Sequence, residues 1–331
     1  MPEPALFAFL VHPLNPFQRR VMGVRRAHFG AAIGLESPDL SAGELCRFGV
    51  GEALEGRVIA LPRLPGALLE DQGGAVDAMK RVADELEGVQ AVGLGSLLAV
   101  VGGRGEELAS RVDVPITTGA AATAWATAGN ALEVARARGE GRVAVLGFGG
   151  AVGEAVTRLL VQGGLEVLAV GQGKAPGRRA DELGVSLCGV EAALGSTRVV
   201  VGAATSGGTL DPACLQPETV LVDVALPSTL APGPVPRGVR VLAGEAMELP
   251  PGWKRGFWGW LYHFISGYGP GQIYACLAEP LVMAAQGRTR PYAQGRSVDP
   301  VDLEAFCRDA EALGLKPRLA TGWSRVATLG G

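Results

Sequence analysis

The stretch RVAVLGFGGAVGEAVTRLLVQ, residues 142–162, decides the fold. Arg142 to Leu146 is a short apolar run with the length and β-branched content of a buried strand. Gly147-Phe148-Gly149-Gly150-Ala151-Val152-Gly153 then turns the chain, and Glu154 to Gln162 continues with helical spacing. A strand, a glycine turn and a helix in that order are the context in which such a motif binds a dinucleotide. Gly147, Gly150 and Gly153 are spaced GxxGxxG. The first glycine permits a tight turn, the middle ones let backbone approach a pyrophosphate, and Gly153 allows close helix–strand packing. The helix start offers free N–H groups and the positive end of its dipole to phosphate. The plain alternative is a glycine turn that holds nothing.

Working outward, Leu165 to Val170 is a second strand. An NAD site places an acid at the end of that strand, on the ribose 2′-hydroxyl. Here Val170 is followed by Gly171-Gln172-Gly173-Lys174, with Arg178 and Arg179 soon after. Cations without an acid point to NADP(H), with Gln172, Lys174 and Arg178 as contacts; a solvated basic loop is the alternative. Val185 to Cys188, Arg198 to Val201, Val220 to Val224 and Val239 to Leu242 continue the series. Ala203-Ala204-Thr205-Ser206-Gly207 falls where a nicotinamide ribose would lie, and resembles the corresponding turn of shikimate-dehydrogenase-type domains. Asp223 ends the next strand, facing the same cleft. Alternating strands and helices give a parallel sheet with right-handed crossovers.

Upstream, Ala5 to Val11, Arg57 to Leu61, Val92 to Val101 and Asp113 to Ile116 have strand character. Ala75 to Leu86 and Thr117 to Arg138 have helical character. Downstream of Gly256 the chain is aromatic (Phe257, Trp258, Trp260, Tyr262, Phe264), then helical over Gln272 to Gln286 and Val301 to Leu313. The expectation is an α/β protein: an N-terminal α/β domain over 1–138, a Rossmann-type parallel-sheet domain over 139–255, and a C-terminal helical region over 256–331. No repeat is present.

Composition narrows the function classes. Thirty basic and 33 acidic residues give a net charge of −3, which disfavours a general nucleic-acid binder. Apolar Ala5 to Val11 has no basic residue before it and is too short for a secretory signal. No stretch approaches the ~20 apolar residues that span a bilayer. These features predict a cytoplasmic protein, with peripheral membrane contact left open. The five cysteines are scattered without a CxxC pair, so neither a metal cluster nor a disulfide framework is expected.

One cysteine stands out. In Ser266-Gly-Tyr-Gly-Pro-Gly-Gln-Ile-Tyr-Ala-Cys276-Leu-Ala-Glu279-Pro280, Pro270-Gly271 breaks the chain and a helix follows. Cys276 falls in its first turns, where the dipole lowers a thiol pKa. Pro280 cannot donate to the Cys276 carbonyl, and Glu279 lies three residues on, near the same face. An inert thiol in an apolar helix is the alternative.

On Ile273-Tyr-Ala-Cys-Leu-Ala-Glu279, Gly314-Leu-Lys-Pro317, Thr117-Thr118-Gly119, Gly93-Leu-Gly95-Ser96 and the glycine turn, the chain resembles the cyanobacterial long-chain acyl-[acyl-carrier-protein] reductases. The resemblance implies NADPH-dependent reduction of a fatty acyl thioester, from an acyl-carrier protein or coenzyme A donor, to aldehyde. Cys276 would carry the acyl group, with Glu279 beside it. The family's Thr-Thr-Gly-Asn-Thr-His-Thr-Ala reads Thr117-Thr-Gly-Ala-Ala-Ala-Thr123-Ala here, so an Asn and a His are missing. Arg19, Arg20, Arg25 and Arg26 would be candidates to dock an acidic carrier; a solvated surface is the other reading.

Two alternatives stay open. One is a shikimate-dehydrogenase-like NAD(P)-dependent alcohol or ketone dehydrogenase, although Lys80 is the sole lysine of the first domain and no Asn-Thr-Asp motif follows it. The other is a non-catalytic NADP(H)-binding protein. His263, among aromatics, suits packing better than acid–base work.

Overall fold

The structure is a computed structural model and describes residues 4–14, 16, 18, 19, 43–50, 53–171, 174–204, 207–225, 228–250, 253–255, 268, 269 and 271–320. Two compact units appear. The first comprises Met1–Ala120, Leu249–Ile265 and Cys276–Gly314; the second comprises Ala121–Glu248, Ser266–Ala275 and Leu315–Gly331.

In the first unit the strands are β1 (Ala5–Val11), β2 (Gly43–Val50), β3 (Leu54–Ala60), β4 (Val89–Leu94) and β5 (Ile116–Thr117), with Trp253–Arg255 joining later as β13. They lie in the order β13-β2-β3-β1-β4-β5. β3, β1, β4 and β5 are parallel, whereas β2 pairs antiparallel with β3 and with β13. Gly56 stands opposite Phe7, where an added Cβ would fall 2.1 Å from the ring, so only glycine lets the ring lie over the sheet there. The helix Gln72–Asp84 begins at Asp71, whose carboxylate accepts from the Gly74 N–H at 2.9 Å. Its Ala75, Val76, Ala78 and Met79 share one buried cluster with Leu10, Leu94 and Ile116. The helix Pro300–Ala312 has the same logic: Asp299 caps Val301 at 2.8 Å, proline occupies its first turn, and Leu303, Phe306 and Ala310 form its buried stripe.

The second unit contains β6 (Arg142–Leu146), β7 (Glu166–Val170), β8 (Ser186–Cys188), β9 (Val199–Gly202), β10 (Val220–Asp223) and β11 (Arg240–Ala243) in the order β11-β10-β9-β6-β7-β8. Every pairing in this sheet is parallel. The chain starts at the centre, builds outward over β7 and β8, returns to the other side of β6 and builds outward again. That is the doubly wound order 3-2-1-4-5-6 of a Rossmann fold, with its switch point between β6 and β9. Val143, Val145, Val199, Val200, Val201, Leu221 and Val222 are fully buried, as a sheet covered on both faces requires. A small antiparallel sheet, β14-β12-β15, joins Gln272–Tyr274, Ala246–Glu248 and Lys316–Pro317.

The α/β class and the parallel Rossmann sheet agree with the expectation; the segmentation does not. The C-terminal region is divided between the two units, and the helix Ala120–Arg138, expected to close the first domain, belongs almost wholly to the second. Its buried Asn130 donates from Nδ2 to the carbonyls of Gly244 (2.7 Å) and Ala246 (3.2 Å), which ties it to the end of β11. Thr117 sits in a strand rather than opening that helix, Gln272 to Tyr274 is a strand rather than helix, and the strand expected over Val92 to Val101 stops at Leu94.

Candidate dinucleotide site

Each glycine of the turn after β6 is fixed by a backbone neighbour. Gly147 has φ +84°, and a Cβ there would lie 2.6 Å from the Ala203 carbonyl oxygen at the end of β9. At Gly153 a Cβ would lie 2.3 Å from the Gly147 carbonyl oxygen. The first helical turn is thus pressed against the strand end, and no larger residue fits either place. The Gly147 and Phe148 N–H groups donate to the Val170 carbonyl at 3.2 and 3.1 Å, which fastens the turn to the end of β7. The helix Ala151–Gln162 starts at Gly150 with no side-chain cap, so the first-turn N–H groups around Ala151, Val152 and Gly153 are not taken by a side chain. Gly149 is exposed at the same edge, while the Phe148 ring is fully buried with Ala169 and Ala180. Phe148 therefore anchors the turn, with its ring in the core and its N–H on Val170.

Around this turn the expected contacts separate. Arg178 is exposed on the helix Lys174–Leu183, whereas Arg179 is held by Glu154 at 2.8 Å. Ala204 is half-buried just past β9. Asp223 requires correction. It is fully buried, and its carboxylate accepts from the Ser228 and Thr229 hydroxyls at 2.7 and 2.8 Å and from the Thr229 and Ala225 N–H groups at 3.0 and 3.1 Å. Those four bonds shape the loop after β10 and occupy the carboxylate, so Asp223 is structural. Gln172, Thr205, Ser206, His263 and the aromatic run lie outside the described residues, as do Arg20, Arg25, Arg26 and the Lys174 side chain.

No family model matches the chain. A curated relative is Aminotransferase PigE from Serratia sp. (strain ATCC 39006), 26% identical over 265 residues. The match covers 74% of this chain but 30% of that protein, so the chain spans less than a third of its relative. Similar solved structures include L-tryptophan dehydrogenase from Nostoc punctiforme, 16% identical with a TM-score of 0.35, covering 67% of this chain and 63% of that one. A glyoxylate reductase from Paecilomyes thermophila is 13% identical, TM-score 0.29, covering 67% and 74%. Dipicolinate synthase A chain from Bacillus subtilis is 16% identical, TM-score 0.34, covering 48% and 60%.

The curated relative is an aminotransferase and not an acyl-[acyl-carrier-protein] reductase, and the expected kinship with that family is overturned. With it goes the support for acyl thioester reduction. The physical reason lies in the residues that carried the resemblance. Ile273, Ala275, Leu277, Ala278 and Glu279 are all fully buried, so the shared pattern is accounted for by the packing of a strand end and the helix after it.

That helix, Ala275–Ala285, does begin beside Cys276, which is half-buried. Gly119, at φ +72°, brings its backbone so near that a Cβ would lie 2.4 Å from that of Cys276. Pro280 is accommodated because Gly93 faces it; a Cβ at Gly93 would be 2.6 Å from the ring. Glu279 is not placed to meet a substrate: it is enclosed and takes a hydrogen bond from the Thr117 hydroxyl, which also lies 3.1 Å from the Ala293 carbonyl. It acts here as a support for the end of β5.

Lys80 is spoken for by Asp84 one turn along its own helix, at 2.5 Å, so the lysine–aspartate pair of a shikimate-dehydrogenase-like site is not formed there. A cavity of about 630 Å³ in the first unit is lined by Val89, Asp113, Val114 and Arg288 among others, at the strands' N-terminal edge. Ligands of open α/β sheets bind at the opposite, C-terminal edge. Among the described residues no cluster of His, Cys, Asp and Glu could hold a metal, and no helix is long and apolar enough to cross a membrane.

Two further features were not among the expectations. Glu245, just past β11, is buried and accepts from the Tyr268 hydroxyl at 2.7 Å. His12, at the end of β1, is enclosed beside the turn that follows β4. The glycines at 93 and 95 were the available signal for the second.

Proposed function

We infer that the protein is an NAD(P)(H)-dependent oxidoreductase that uses the turn between β6 and the helix Ala151–Gln162 as its pyrophosphate cradle. The observation that carries this is the doubly wound sheet with that turn at its central strand, where Gly147 and Gly153 close on backbone and an uncapped helix start follows. A nicotinamide cofactor supplies or accepts hydride. The chain's own part is to donate backbone N–H groups to the diphosphate and to keep side chains out of its path. NADP(H) is favoured over NAD(H), because β7 ends at Val170 and Gly171 without a carboxylate while Arg178 stands exposed nearby. The substrate reading that fits best is an alcohol or ketone, reached without the shikimate-type lysine. The named activity of PigE belongs to a protein of which the match covers 30%, and it is not carried over.

Cofactor fluorescence tests the reading. Wild-type protein should bind NADPH more tightly than NADH. Gly153→Val should abolish binding of both, and Arg178→Ala should weaken NADPH alone, by about tenfold, the scale of one lost charged hydrogen bond. Binding of NADPH by a folded Gly153→Val variant, shown by an unchanged circular dichroism spectrum, would defeat the proposal.

A further inference from the structure

The first unit has a switch point of its own. From β1 the chain builds to β3 on one side, then crosses to β4 on the other, and β3, β1, β4 and β5 all run parallel. A crevice at the C-terminal ends of β1 and β4 is where such a sheet receives a ligand.

Ser96 lies at this point. The Gly95 N–H donates to the Leu10 carbonyl at 2.8 Å, extending the pairing of β1 and β4 by one step. Ser96 follows at φ +53°. Fifteen of the 18 described residues at positive φ are glycine, and the chain has glycine at 93 and 95, so a serine here is set against local strain. The strain is imposed from outside: the Leu97 N–H donates to His12 Nε2 at 3.2 Å, and the His12 ring donates from Nδ1 to the Pro13 carbonyl at 3.0 Å. Among the described residues the hydroxyl gains nothing from the fold in return, since Ser96 Oγ is enclosed and has no hydrogen-bond partner there. The residue as a whole is only half-buried. β5 pairs with β4 at Gly93 and Thr117, and Gly119 and half-buried Thr118, with Cys276 against the Gly119 backbone, follow the C-terminal end of β5.

We propose that the crevice between the ends of β1 and β4 binds the hydroxyl or carbonyl group of an uncharged alcohol or ketone, with Ser96 as its hydrogen-bonding partner. A hydroxyl both donates and accepts, so one serine serves both oxidation states of such a compound. Ser96, Thr118 and Cys276 carry no ionic side chain to receive a carboxylate or phosphate, and half-buried Leu97 follows Ser96 in the turn. The choice of alcohol and ketone rests on the oxidoreductase reading; the site itself does not.

The test uses the intact chain without cofactor. 2-Butanol, 2-butanone and butanoate are titrated while backbone amide shifts are followed by NMR. The two uncharged probes should move the amides of residues 12, 14, 95–97, 118 and 119, and butanoate should not. Ser96→Gly should lose at least fivefold in affinity yet melt higher than wild type, since glycine removes the hydroxyl and the strain together. Ser96→Ala should lose the same affinity without melting higher. Unchanged binding in either variant, shifts that fall elsewhere, or tighter binding of butanoate would each overturn the proposal. NADPH binding is read separately at the β6 turn, so loss of one result leaves the other intact.

Discussion

At the scale of single residues, the fold is held by polar side chains whose partners are distant in sequence. His12 is the plainest case. It is buried, fixed in one tautomer by Pro13 and Leu97, and burial pushes its pKa below the ordinary histidine value. Folding therefore favours the neutral ring, and the unfolded chain binds more protons in mild acid. The stability this contributes is complete above the unfolded pKa of about 6.5 and is lost as pH falls from there toward the folded pKa. Melting temperature should drop between about pH 7 and pH 5, and the drop should shrink in His12→Gln, which cannot titrate. An identical slope in the variant would remove His12 from the account. Glycine acts at the same scale by what it leaves out: at 147 and 153 the missing Cβ is the room that two backbones occupy.

At the scale of elements, strand ends are shaped by loops that their own residues close. The loop after β10 is wound around the Asp223 carboxylate by four hydrogen bonds. Asp223→Ala would leave two hydroxyls and two N–H groups without their acceptor in a buried place. The cost should be about 3 kcal/mol, that of a broken buried network, with Asp223→Asn costing less because the amide oxygen still accepts. Urea unfolding measures both; a loss below about 1 kcal/mol in the alanine variant would show the loop to be held by its backbone instead. In the first unit, β5 gains similar support from Glu279 through Thr117, and the helix Ala275–Ala285 lies close because Gly93 and Gly119 present no side chain to it.

At the scale of the molecule, two units each centre on a six-stranded sheet with parallel strands at its heart, and each has a switch point at the strands' C-terminal edge. A ligand that binds only the folded chain stabilises it by mass action. Saturation with NADPH at a hundred times its Kd should add about 2.7 kcal/mol, visible as a higher melting temperature that Gly153→Val no longer shows. A melting temperature indifferent to NADPH would count against the oxidoreductase reading as a whole.

The sequence by itself determined the Rossmann sheet and its turn. Buried parallel strands announce themselves as continuous apolar runs, and a GxxGxxG turn between a strand and a helix has few other uses. It also placed Cys276 at a helix start and β1 at Ala5–Val11, where local pattern suffices. Tertiary structure alone decided the rest. The bonds from Leu97 to His12 and from Thr117 to Glu279 join residues 85 and 162 positions apart, and no spacing rule reaches that far. Short strands such as β5, β14 and β15 exist because a neighbour completes their hydrogen bonds, so propensity over two or three residues could not reveal them. Asp223 and Glu279 looked functional as acids at telling places in the chain; burial and the donors around them made both structural. The serine at position 96 looked ordinary, and became a candidate ligand group only once its backbone angle and its unpartnered hydroxyl were known, because both are imposed by groups that the chain brings in from β1.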